Sequence, residues 1–120
     1  MKLRYEQPQT MQREELKAIF RRGDGKSVRG ALISAFYSEE ASRVAEWCIK
    51  FSTHSEWEAR YGAALVLGNI AAVKNSGVDL ATCLRTVQRL TADARAEVRV
   101  AAQDAVEDVL HALSRDPSKS

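Results

Sequence analysis

Proline is nearly missing from this chain. Only Pro8 and Pro117 occur, each close to one end, so the long middle is free of the residue that most readily breaks a helix. Aromatic residues amount to 7%, a poor supply for a sheet-based core. No apolar run reaches the roughly 20 residues that a membrane-spanning helix needs. The opening MKLRYEQPQ lacks the apolar stretch of a secretory signal, so no membrane is expected as a partner and the expected location is cytoplasmic. Catalytic patterns are also missing. The two histidines, His54 and His111, lie far apart. No glycine-rich phosphate loop, zinc-ligand spacing or nucleophile elbow is present. The expectation is a protein that is not an enzyme and takes no cofactor and no metal. The two cysteines, Cys48 and Cys83, fall on apolar stripes and are read as buried core thiols. A disulfide is the alternative, and it is less suited to a reducing compartment.

What remains is an ordinary soluble composition, rich in alanine. Of 120 residues, 45% are hydrophobic and 28% charged, which fits one domain with a modest core. Apolar residues recur at three-four spacing, the mark of helices with one buried face. Residues 1–9 read as an arm. A first helix is expected from Gln9 or Thr10 to about Arg22, with Leu16, Ile19 and Phe20 inward, ended by Gly23-Asp24-Gly25. A second is expected from Lys26 to Tyr37, started near Asp24. Ser38 is expected to cap a third, Glu39 to about Ser52, with Val44, Ala45, Cys48 and Phe51 inward. Asn75-Ser76-Gly77 marks a loop. Two further helices are expected, from Val78 to Leu90 and from about Arg95 to Leu113. The helical domain is thus placed at 10–113, with a disordered tail at 114–120.

The fourth expected helix, His54 to Ala72, is the centre of the chain. Ser55 followed by Glu58 has the form of a capping box. Ala59, Ala63, Ala64, Val66, Leu67 and Ile70 give a broad face of small and branched groups. Gly68 inside a helix costs about 1 kcal/mol against alanine, which makes sense where another backbone crosses closely. Ala59-Arg60, Ala63-Ala64, Val66-Leu67-Gly68 and Ile70 together resemble the second helix of a HEAT repeat. Val28-Arg29 and Val98-Arg99 stand at the same place in two other helices. The intervals between the arginines are 31 and 39 residues, against about 40–47 in HEAT and armadillo units. The copies diverge. Ile33 and Tyr37 stand where the first should have small residues, and Gln103 and Glu107 replace an alanine and the glycine in the third.

The resemblance spans about residues 11–113. It implies an all-α fold: a short right-handed α-solenoid of about three antiparallel hairpins. An orthogonal helical bundle of the same helices is the alternative. The resemblance also implies structural arginines, with Asp24 and Asp93 as possible partners for Arg29, Arg60 and Arg99.

Function is approached through residues left over from the motif. Trp57, Tyr61, Leu65 and Asn69 are four apart and share a stripe beside the small-residue face. Trp and Tyr are typical anchors of binding surfaces. The stripe is either open for a partner or covered by flanking helices. Arg29, Gly30 and Ser34 could extend it on one side, and Val100, Asp104 and Asp108 on the other. The densest acidic patch is Asp104, Glu107 and Asp108. Residues 1–30 carry +4 and the remainder −2, so no continuous basic track for a phosphate backbone is expected.

Three function classes follow. The first is a non-catalytic protein-binding module using the concave helix face at Trp57, Tyr61, Leu65, Asn69, Asp104 and Asp108, such as an immunity protein that inhibits a toxin. The second is a HEAT-like binder of the nucleic-acid backbone. The third is an accessory subunit of an enzyme.

Overall fold

A computed structural model of the chain describes residues 11–115; the arm placed at 1–9 and residues 116–120 of the tail lie outside the described residues. Six helices and no strand occur among the described residues: α1 Arg13–Arg22, α2 Gly25–Ser38, α3 Ala41–Phe51, α4 Trp57–Val73, α5 Leu80–Leu90 and α6 Ala96–Arg115. The all-helical class and the number of helices agree with the periodicity. Several ends differ, most for a local reason and one for a longer-range one.

Helix α1 starts later than expected. Gln12 and Glu15 form a reciprocal capping box there, with the Gln12 N–H donating to Glu15 Oε1 at 3.0 Å. It stops at Gly23, whose φ of +80° suits a residue without a Cβ. Asp24 then caps α2, its Oδ1 accepting the Ser27 N–H at 3.0 Å. Ser38 belongs to the end of α2 and does not cap α3; Glu40 precedes α3 without a side-chain cap bond. Asp79 caps α5 by accepting the Thr82 N–H at 3.2 Å. Helix α6 runs on to Arg115.

The start of α4 departs most from expectation. Ser55 makes no cap, and the helix begins at Trp57 after Glu56. Two longer-range demands take over the turn. The Glu56 carboxylate accepts the Gly25 N–H, which opens α2. Arg60 Nη1 donates to the carbonyls of His54 and Ser55 at 2.9 and 3.1 Å, folding the turn around the guanidinium. His54 is used at both ring nitrogens. Its Nδ1 accepts the Glu56 N–H at 2.9 Å, so Nε2 carries the proton donated to the Gly23 carbonyl.

Helix α4 lies between α2 and α6 and packs against both, while α2 and α6 do not meet. Each of α1, α3 and α5 packs against the helix that follows it. Leu16, Leu32, Val44, Leu67, Ile70, Val87 and Val109 are buried in one continuous core. A ring cluster seals α1 to α3, with Phe20 centred 4.9 Å from Trp47 and 5.1 Å from Phe51.

The close approach expected at Gly68 is present, and a second one, not expected, occurs at Gly62. A Cβ at Gly62 would stand 3.0 Å from Arg29 Cα, and one at Gly68 would stand 3.1 Å from Ala105 Cα. Those two positions set how near α2 and α6 come to α4. Cys48 and Cys83 are buried and free, so the disulfide alternative is not realised. No helix among the described residues is long and apolar enough to cross a membrane.

Candidate functional site

The turn before α4 and the turn before α6 share one device. Arg99 Nη1 donates to the carbonyls of Asp93 and Ala94 at 2.8 and 3.1 Å, six and five residues back. Arg60 does the same with His54 and Ser55. The other edge of Arg60 grips Asp93, with Nε to Oδ1 at 2.7 Å and Nη2 to Oδ2 at 3.1 Å. Hydrogen bonds from that guanidinium hold the Asp93 carboxyl below the usual carboxylate range, against a smaller opposing effect of burial. The expected structural role of Arg60 and its pairing with Asp93 are therefore seen. The pairing of Arg29 with Asp24 is not. Asp24 is occupied in capping α2, and the stem of Arg29 packs on Gly62.

This clamp places the stripe of α4 beside α6. Ala64, Leu90, Val98, Ala101 and Ala102 form a small second core, and Trp57 and Tyr61 pack on it from outside. Both aromatics are half-buried, as is Leu65, while Asn69 is exposed. The Trp57 and Tyr61 rings meet edge to face at 6.2 Å. Arg95 lies over the Trp57 ring at 4.2 Å from its centroid, a cation–π contact that covers the indole. Trp57 is thus partly taken up within the fold, by a residue the motif did not mark.

Tyr61 and Leu65 open onto a groove between α4 and α6 with a volume of about 390 Å³. Ala96, Val100 and Ala101 complete its apolar lining, and Glu97 and Asp104 stand in its wall. Val100 is 58% exposed, unusual for a valine on an amphipathic helix. Asp104 is exposed, and Asp108 is half-buried one turn further on, with its Oδ2 near Gly68. Of the six residues proposed for a partner, Tyr61, Leu65 and Asp104 share this groove; Trp57, Asn69 and Asp108 are not in its lining.

Ser34 does not extend the stripe. It is buried, and its Oγ accepts the Met11 N–H at 2.7 Å. A second depression of about 480 Å³ lies at the turns, between Asp24, Lys26, Glu56, Trp57, Arg60 and Arg95. Most of its polar groups are already committed: Asp24 to a cap, Glu56 to Gly25, Arg60 to Asp93 and Arg95 to Glu97.

The carboxylates around the groove divide into two kinds. Glu97 receives Arg95 Nε at 2.9 Å, and its own backbone N–H together with that guanidinium keeps its carboxyl below the usual range. Asp104, Glu107 and Asp108 make no ion pair among the described residues. No group of three or more potential metal-ligating side chains is found among the described residues. No family model, curated protein or solved structure matches this chain.

Proposed function

We propose that this protein is a small non-catalytic protein-binding module. Its helices are read as three stacked HEAT-like hairpins, α1–α2, α3–α4 and α5–α6, with α2, α4 and α6 along the concave side. Three features support the stacking. Helix α4 touches both α2 and α6 while these stay apart. The carbonyl brace of Arg60 is repeated at Arg99. Small residues set the helix contacts at Gly62 and Gly68.

The observation that carries the binding reading is the α4–α6 groove. Its lining of Tyr61, Leu65, Val100 and Ala101 is apolar and faces an open groove, in which Val100 is 58% exposed. A hydrophobic groove between helices is a recurring seat for the apolar face of a partner segment. The groove needs no mobile or reactive group to work as one.

The test is comparative capture. The full chain and its Val100→Arg and Tyr61→Ala variants are immobilised and exposed to the same cell extract. Loss of one and the same protein from both variants, with unchanged circular dichroism, is the expected result. Equal recovery by all three chains removes the groove as the binding site.

A further inference from the structure

The groove has a charge as well as a shape, and its sign is opposite to that of the whole chain, which carries +2. Between Glu97 and Asp108, helix α6 holds four carboxylates and one cation, Arg99; Glu97 is paired with Arg95 just before the helix, which leaves three. Arg99 is drawn back to the carbonyls of Asp93 and Ala94 at the start of the helix. Asp104, in the groove wall, and Asp108, one turn on, make no ion pair among the described residues. They are four residues apart on one helix and so lie along one side of it. An apolar floor next to unneutralised carboxylates favours an occupant that is apolar on one side and positively charged on the other.

We propose that the partner of this groove is a cationic amphipathic segment of another protein. A large aliphatic or aromatic side chain of that segment enters between Tyr61, Leu65 and Val100, and Lys or Arg side chains beside it meet Asp104 and Asp108. The proposal rests on the protein-binding reading and adds the chemical character of the partner. Desolvation of the apolar floor supplies most of the attraction. The carboxylates select the sign of the partner and speed its arrival. Because Asp104 is exposed, its effect on affinity is modest and screened by salt.

The probes are two fluorescein-labelled amphipathic peptides of equal length, one of Leu and Lys and the other of Leu and Glu. Anisotropy titration uses the full chain at low and at raised salt. The Leu/Lys peptide is expected to bind about tenfold tighter at low salt, with the difference shrinking as salt rises. Asp104→Asn, at an exposed position that leaves the fold alone, is expected to reduce that preference severalfold, and the double change with Asp108→Asn to remove it. Tyr61→Ala is expected to weaken the Leu/Lys peptide without changing its salt dependence. Equal binding of the two peptides, or an unchanged preference in the charge variants, overturns the proposal. If Tyr61→Ala then still weakens both peptides, the groove stands and only its charge selectivity is lost. If no variant alters either peptide, the protein-binding reading of the groove falls as well.

Discussion

Arg60 holds Asp93 through two parallel hydrogen bonds of 2.7 and 3.1 Å, joining the start of α4 to the turn that leads into α6. Both side chains are largely covered, at 18% and 8% exposure. A fork-shaped, partly desolvated pair of this kind is stronger than an ordinary surface ion pair. It also fixes the register of α6 against α4, and thereby the width of the groove between them.

Breaking that pair should therefore cost more than removing its near-copy. Asp93→Ala is expected to lower stability by about 2 kcal/mol, as for a hydrogen bond to a charged group. Arg99→Ala loses bonds to carbonyls alone and is expected to cost about 1 kcal/mol. Urea denaturation of the single variants, with a double-mutant cycle for Arg60 and Asp93, checks the order and the coupling.

The same pair makes a pH prediction. The Asp93 carboxyl lies below its ordinary value in the folded chain, chiefly through its bonds from Arg60. Its contribution is therefore fully present above the unfolded value, about pH 4. It is lost as pH falls through the lowered folded value. The stability gap between the natural chain and Asp93→Asn should be wide at pH 7 and close progressively below about pH 4. A gap that stays constant across this range contradicts the assignment.

Three helical glycines should respond differently to the same change. A Cβ at Gly30 meets nothing within 4 Å, so Gly30→Ala should stabilise by about 0.5–1 kcal/mol through helix propensity. At Gly62 the new Cβ would stand 3.0 Å from the α2 backbone at Arg29, and at Gly68 it would stand 3.1 Å from the α6 backbone at Ala105. Crowding against backbone costs about 1–3 kcal/mol, which outweighs the propensity gain. Both of those changes should lower the melting temperature, and Gly30→Ala should raise it.

The cysteines should be silent until the chain unfolds. Burial pushes the Cys48 thiol well above its ordinary value and raises Cys83 to about 11. The thiolate is the reactive species, so a thiol reagent such as DTNB should titrate neither group in the native chain. It should titrate both in denaturant. Fast labelling of either one in native buffer would show that α3 and α5 part more readily than their packing implies.

Much of the architecture was legible in the sequence because apolar spacing reports which face of a helix is buried. Leu67 and Ile70 on α4, and Val98 and Val109 on α6, could be placed from that pattern alone. The Arg60–Asp93 pair was legible through the resemblance at Ala59-Arg60. The turn before α4 was not. Ser55 and Glu58 have the spacing of a capping box, but the turn is shaped by Glu56 reaching Gly25 and by Arg60 drawing in two carbonyls. A partner 31 residues away in sequence, as Gly25 is from Glu56, leaves no local signal. Ser34 likewise has the place of a surface residue beside the stripe, but the Met11 N–H that its Oγ accepts comes from 23 residues away. Within the site, the four-residue spacing puts Trp57, Tyr61, Leu65 and Asn69 on one stripe but does not tell that Tyr61 and Leu65 line the groove while Trp57 and Asn69 do not. The cover that Arg95 gives Trp57 depends on how two helices meet, which spacing does not encode.

The offset of 39 residues that carries Arg60 onto Arg99 also carries Gly68 onto Glu107 and Ala64 onto Gln103. Where α4 offers bare backbone to its neighbour, α6 offers a long charged side chain. A helix backbone could not come as close to α6 at Glu107 as α6 comes to α4 at Gly68 without displacing or burying that carboxylate.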